Sequence, residues 1–256
     1  NVQYAIRDGT VYVLEVKPRA SRTIPFVSKA TGIPLARLAA RVMAGERIAD
    51  LGIPAEPAVG GVAVKEAAFP FNRFDVDILL GPEMRSTGEV MGFDDSFGMA
   101  FAKAQVSAGN ALPQAPGTII VTVNDPDKET VTPILRRFVD LGFEILATGG
   151  TQRHLSRLGI PCDRIFKSGE GRPDIVDKIV SGEVALLINT PLGKKSQYDD
   201  YAMRRAAITY NVPYLTTMSA TSAACDALIA LRNRTHRVKS LQERVQMTAP
   251  VPAASR

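Results

Sequence analysis

From Gly117 to Arg232 the sequence alternates between short β-branched runs and amphipathic stretches, and nothing else in the chain constrains its fold as tightly. TIIVTV (118–123), EILATGG (144–150), VALLINTP (184–191) and YLTT (214–217) read as strands. KETVTPILRRFVDLG (128–142), TQRHLSRLG (151–159), YDDYAMRRAAITYN (198–211) and SAACDALIALR (222–232) read as helices, the first closed by Gly142 and carrying Pro133 in its first turns. Strands that alternate with helices imply a parallel sheet covered on both faces, so the expected class is α/β.

The first part of the chain is organised differently. NVQYAIRDGTVYVLEV reads as a hairpin around Asp8-Gly9. A two-residue turn would pair Arg7 with Thr10. A three-residue loop with Gly9 left-handed would pair Gln3 with Glu15 on one face, where an amide oxygen and a carboxylate converge, and this loop is the expectation. VSKATG (27–32) and PLARLAARVMAG (34–45) read as helices stopped by Gly32 and Gly45. VAVKEAAFPF (62–71) reads as a strand, and SFGMAFAKAQVSAG (96–109) as a packed helix. NALPQAPG (110–117) is the one clear linker, which places a domain boundary there and divides the chain into 1–110 and 111–256. The tail after Arg234 is polar and ends in TAPVPAASR, which predicts disorder. The chain opens on Asn1 without Met, as a fragment of a longer polypeptide would.

Composition narrows the function classes. With 256 residues, 45% hydrophobic and 22% charged, the chain suits one large or two ordinary globular domains with a real core. No apolar run approaches the roughly 20 residues that span a bilayer. Cys162 and Cys225 have no paired spacing, which excludes a disulfide framework or zinc motif and fits a reducing cytoplasm. The net charge of +5 is dispersed and there is no Trp, which points to small anionic ligands rather than nucleic acid.

The sharpest local feature is ATGGTQRHL (147–155). A strand ends at Thr148, two glycines let a ligand approach the backbone, and Thr151 opens a helix whose free N–H groups and dipole favour an anion. Thr122 and Asn189 also fall near strand carboxyl ends, where ligands of open α/β sheets sit. With Lys128 and Lys167 they complete a phosphate pocket; the competing reading is a tight strand-to-helix turn with no ligand. His154 and His236 read as surface residues. There is no Ser-His-Asp arrangement and no cysteine cluster, so this domain reads as a binder.

The stretches VYVLEVKPRASRTIPFVSKATG, PFNRF, LLGPEMRSTGEVMG and SFGMAFAKAQ resemble the C-terminal half of the carbamoyl phosphate synthetase large subunit. The resemblance runs from Asn1 to about Arg232. It implies the end of the second ATP-grasp domain, followed from about Gly117 by an allosteric domain of the methylglyoxal synthase fold. It further implies an ATP-dependent ligase partnered by the upstream remainder of the large subunit and by a glutamine amidotransferase small subunit.

In such sites a Gln, a Glu and an Asn two residues later hold the divalent ions, magnesium or manganese, that bridge ATP phosphates. The resemblance places them at Gln3, Glu15 and position 17, with Arg19 and Arg22 as catalytic residues that meet phosphate or substrate. Position 17 departs from the pattern. Lys17 cannot ligate a metal while protonated, and at about 4 Å from one it would repel by a few kcal/mol at intermediate dielectric. The ATP-grasp site lacks its upstream lobe here, so the fragment alone is expected not to turn over ATP. In the allosteric domain the resemblance implies that UMP or IMP is held by Thr122, Lys128, Thr148, Thr151, Lys167 and Asn189. The family's loop histidine is Gly149 here and a downstream threonine is Pro191. Some members bind ornithine, at positions matching Glu66, Tyr214 and Thr216, with Phe69 where a smaller residue is usual. The rival readings are a methylglyoxal synthase-type lyase, with Asp174 or Glu170 of SGEGRPDI (168–175) as base, and a stand-alone nucleotide sensor.

Overall fold

The computed structural model of the chain describes residues 1–54, 57, 59–71, 77–79, 86–191, 200–234 and 237–248, the last four of these by backbone alone. Two compact units emerge: Asn1–Gly60 with the segment from Val238 onward, and Gly61–Arg237.

The first unit opens with the hairpin, β1 (Val2–Arg7) and β2 (Thr10–Val16). Asp8 and Gly9 both take positive φ, 49° and 75°, and Arg7 faces Thr10. The connection is thus a two-residue turn with the backbone twist that hairpins favour, not the expected three-residue loop. Gln3 nevertheless faces Glu15, because the register shifts between Gln3 and Tyr4 and leaves Leu14 as an extra residue in β2. A bulge supplies what the longer loop was expected to supply. Both faces of the hairpin carry exposed apolar side chains, with Ile6 73% and Val16 66% accessible. Two helices follow. α1 (Thr23–Thr31) begins four residues before the expected VSKATG and stops at left-handed Gly32, and α2 (Leu35–Met43) has Pro34 at its entry.

The second unit begins with an antiparallel pair, β3 (Val62–Ala68) and β4 (Gly88–Asp94). α3 (Phe97–Ala108) lies against it so closely that a methyl at Gly92 would come within 1.9 Å of the Ala100 carbonyl. Then follow β5 (Thr118–Val123), α4 (Lys128–Asp140), β6 (Glu144–Thr148), α5 (Gly149–Arg157), β7 (Asp163–Ile165), α6 (Ile175–Val180), β8 (Val184–Thr190), α7 (Tyr201–Thr209), β9 (Tyr214–Leu215) and α8 (Met218–Asn233). All pairings among β5 to β9 are parallel, in the order β7-β6-β5-β8-β9. The sheet is covered on both faces, as the alternation predicts. Ile119, Val121 and Ile188 pack with Leu135, Phe138 and Ala224 on one side. Ile120 and Leu187 pack with Ile179, Met203 and Ala207 on the other.

Residues 110–117 do not separate compact units, although the sequence marks a boundary there. α3 meets α8 backbone to backbone, since a methyl at Gly98 would lie 2.6 Å from the Asp226 carbonyl. The linker residue Asn110 is pinned to β9 through the Tyr214 carbonyl and N–H, both at 3.2 Å. The tail also differs from expectation: Leu241–Thr248 forms a helix, α9, belonging to the first unit, while the final eight residues lie outside the described ones.

Candidate functional site

The order β7-β6-β5-β8-β9 makes the junction of β5 and β8 the point where successive strands turn to opposite sides, and ligands of open α/β sheets bind outside such a point. Thr122 pairs with Asn189 across this junction. Thr148 follows Ala147, which pairs with Val121, so the three residues stand abreast at the carboxyl ends of adjacent strands. They are 4%, 1% and 5% exposed.

α5 starts at Gly149, two residues before Thr151, so Gly149 and Gly150 are its first turn and not a strand end. Thr148 is the capping residue, yet its hydroxyl caps no backbone N–H, and no acidic residue occupies the first turn. The positive end of the helix dipole is therefore left open. Lys128, the first residue of α4, brings its Nζ to 3.4 Å from the place a Gly150 methyl would occupy, and bonds exposed Asp125 at 2.5 Å. Thr151 is engaged differently. Its hydroxyl lies 3.4 Å from both the N and the O of Val123, tying α5 to β5.

Lys167 and Asn189 join through a carboxylate absent from the sequence expectation. Asp200, 4% exposed, accepts from Lys167 at 2.9 Å and from Asn189 Nδ2 at 3.0 Å. Asn189 Oδ1 in turn accepts from Arg204 at 3.3 Å, and the Arg204 guanidinium forks onto Asp77 at 2.7 and 2.5 Å. Arg204 is 1% exposed. A buried cation of this kind needs both partners, because an unpaired one costs several kcal/mol. The only sequence signal was an acidic pair before a helix with two arginines, a pattern that equally describes a solvated surface.

Two expectations about acids and bases need revision. His154 is not a surface residue; it is 8% exposed, with Nε2 3.2 Å from the Thr132 hydroxyl between α5 and α4. His236 lies outside the described residues. Asp174 caps α6 reciprocally with Asp177, at 2.9 and 3.0 Å, and Glu170 accepts from the Lys167 N–H at 3.2 Å. Helix and loop bonding account for both carboxylates that a lyase would need as base.

A cavity of about 470 Å³ opens elsewhere in the second unit, lined by Glu66, Phe69, Phe101, Gln105, Tyr214 and Thr216 among others. Glu66 accepts from Gln105 at 3.0 Å, and Gln105 accepts from Asn110 at 2.9 Å. Burial pushes the Glu66 carboxyl up, and burial with the nearby Glu66 charge pushes the Tyr214 phenol up to about 12. Phe69 stacks on Phe71 at 4.8 Å.

In the first unit Gln3 and Glu15 share a face by register, but Lys17 Nζ sits 2.6 Å from Glu15 Oε1. Two hard oxygen donors suit magnesium or manganese. The third position carries a competing cation, so the fit is partial. Arg19 bonds the Ala20 carbonyl at 3.0 Å, and Arg22 precedes α1. Among the described residues no group of three or more His, Cys, Asp or Glu could hold a metal ion, and no helix is long and apolar enough to cross a membrane.

Residues 1–51 match the family model described as carbamoyl-phosphate synthase L chain, ATP binding domain, and residues 130–216 match that of the MGS-like domain. Three curated relatives are each called carbamoyl phosphate synthase large chain. The Gemmatimonas aurantiaca protein is 55% identical over 95% of this chain and 22% of its own length. The Archaeoglobus fulgidus protein is 51% identical over 95% and 23%, and the Myxococcus xanthus protein 47% over 100% and 24%. A solved structure described as "Crystal structure of ForH" covers 52% of this chain and 90% of its own at 18% identity and a TM-score of 0.32, too slight a likeness to argue from. The chain spans about a quarter or less of the length of these curated relatives. With an ATP-binding-domain match at its start, an MGS-like match in its parallel-sheet unit and near-complete coverage at about half identity, the chain belongs to the carbamoyl phosphate synthase large chain family.

Proposed function

We propose that the chain is part of the large subunit of a glutamine-dependent carbamoyl phosphate synthase, and that its own principal task is to bind a regulatory nucleotide. The complete enzyme would form carbamoyl phosphate from bicarbonate, ATP and ammonia released from glutamine, in the cytoplasm, for pyrimidine and arginine synthesis. Its partners would be the upstream remainder of the large subunit and the amidotransferase small subunit. Residues 1–110 would complete the ATP-grasp domain that makes carbamoyl phosphate, and residues 111–256 would form the allosteric domain.

One observation carries this reading: Thr122, Thr148 and Asn189 stand abreast at the sheet's switch point beside an uncapped helix start. A nucleoside monophosphate, UMP or IMP, would place its phosphate on the α5 N–H groups and the Thr148 hydroxyl, with Lys128 neutralising charge. Lys167 and Asn189 would face the remainder of the nucleotide and Thr151 would hold the helix in place. Effector coupling of this sort is typically worth about 1–3 kcal/mol. In the cavity, Glu66 would pair the amino group of ornithine near Tyr214 and Thr216.

At the hairpin, Gln3 and Glu15 would hold magnesium or manganese, which when bound screens the ATP phosphates. Arg19 and Arg22 would orient phosphate or carboxylated substrate through their guanidinium forks. Lys17, held against Glu15, opposes this arrangement.

Calorimetric titration with UMP, IMP and ornithine, repeated with Thr148→Ala and Lys167→Ala, tests the reading. The expected result is nucleotide binding that both substitutions weaken by about tenfold, the loss of one charge-assisted or hydroxyl contact. Absence of nucleotide binding by the folded protein overturns it.

A further inference from the structure

The start of α5 holds more positive charge than a single phosphate requires. A methyl placed at Gly149 would lie 3.5 Å from Arg153 Nη1, 3.7 Å from Arg164 Nε and 3.8 Å from Arg164 Nη2. On the other flank, a methyl at Gly150 would lie 3.4 Å from Lys128 Nζ. Three cations thus enclose the first turn of a nine-residue helix whose own dipole is positive at that end.

This arrangement works against folding. Cations favour helix carboxyl ends, and like charges gathered at an amino end repel both one another and the dipole. Arg153 belongs to α5 itself, and its side chain leans back toward the amino end, as helical side chains do. Arg164 stands over the Phe166 ring at 5.1 Å, a cation–π contact that fixes its guanidinium beside Gly149. Among the described residues only Lys128 of these three has an acidic partner, Asp125, which is 89% exposed and easily exchanged for another anion. The Thr148 hydroxyl adds an independent sign of a ligand. Its residue is 5% exposed, it caps nothing, and it has no hydrogen-bond partner among the described residues.

We propose that Arg153 and Arg164 form a second phosphate subsite beside the first, so that the allosteric site prefers a nucleoside diphosphate to the monophosphate. This inference rests on the nucleotide-binding reading of the same site. One phosphate occupies the helix start between Thr148 and Lys128. The next extends over Gly149, where the lack of a side chain leaves room and the two guanidinium groups supply paired donors suited to its oxygens. Neither arginine touches the monophosphate in this arrangement.

The test is isothermal titration of the protein with UMP and with UDP, in the unsubstituted form and in the Arg153→Gln/Arg164→Gln double variant, with Thr148→Ala alongside. UDP is expected to bind about tenfold more tightly than UMP, as one added charge-assisted contact provides. The double variant should lose that preference while UMP affinity stays within about threefold, and Thr148→Ala should weaken both ligands. Thermal unfolding of the double variant should change little, because the lost repulsion offsets the lost Arg164–Phe166 contact; a large downward shift would make the arginines structural and overturn the proposal. Equal affinity for UMP and UDP, with Thr148 dependence intact, overturns the second subsite alone. Binding of neither nucleotide overturns the nucleotide-site reading and this inference with it.

Discussion

Gly92 and Gly88 lie four residues apart in β4, on the same strand face, and meet opposite surroundings. Added at Gly88, a methyl finds nothing within 4 Å; at Gly92 it meets the Ala100 carbonyl at 1.9 Å and the Ala104 nitrogen at 2.4 Å. Ordinary van der Waals contact begins near 3.4 Å, so α3 must withdraw by the difference, about 1.5 Å, before Gly92→Ala fits. Withdrawal loosens Met99, Ala100 and Ala104, which are 1%, 0% and 0% exposed. Overpacking of this kind costs about 1–3 kcal/mol and the loosened helix face adds to it, while the loss of glycine's freedom in the unfolded chain returns about 0.4–1 kcal/mol. The net expectation is a destabilisation of about 2–4 kcal/mol for Gly92→Ala, against a neutral or slightly stabilising Gly88→Ala. Urea titration followed by far-ultraviolet circular dichroism is the assay, since the chain has no Trp. If the two variants differ by less than about 1 kcal/mol, the close seating of α3 on β4 is wrong. The same retreat would carry Gln105 away from Glu66, so the cavity should lose affinity for any amino ligand in Gly92→Ala and keep it in Gly88→Ala.

Three further outcomes follow from the polar contacts. Arg204→Met should cost about 3 kcal/mol because it strands Asp77 and Asn189, and adding Asp77→Leu should recover part of the loss; purely additive effects would refute the buried pairing. Lys17→Asn should raise manganese affinity, read by the decrease in free-ion paramagnetic resonance signal, by removing an ammonium from Glu15 and adding an oxygen donor; unchanged affinity would mean that Gln3 and Glu15 are not a metal pair. Because burial raises the Glu66 carboxyl, the folded state holds its proton more tightly than the unfolded state does. That contribution is complete below the ordinary glutamate range and lost as pH rises through the raised value, so Glu66→Gln should gain stability relative to the parent as pH climbs above the ordinary glutamate range; parallel pH profiles would contradict this.

The parallel sheet was legible because its signal is local. β5 coincides with TIIVTV, and the glycines Gly32, Gly109 and Gly142 all take the positive φ that ends a helix. What escaped was short or decided at a distance. β7 has three residues, too few for periodicity to register, and it carries Arg164 to the start of α5. α5 began two residues early because glycines read as turn formers, although at a helix start they also give a ligand room to approach. Asp200 and Asp77 are far apart in sequence and become a single buried chain of contacts only once Arg204 and Asn189 lie between them. One histidine among polar neighbours gives no sign of the Thr132 hydroxyl that His154 meets in the fold.

The extra residue Leu14 gives the hairpin a tolerance in chain length. Tyr4 faces Val13 and Gln3 faces Glu15, so Leu14 is the one residue of β2 to which no residue of β1 corresponds. Deleting it would close the ladder flush, with Gln3 still opposite the glutamate that then directly follows Val13. Loss of Val13 would give a strand of the same length, with Leu14 opposite Tyr4 and the glutamate again opposite Gln3. A strand that carries a residue beyond a bulge can shorten by one residue and keep that residue opposite its partner.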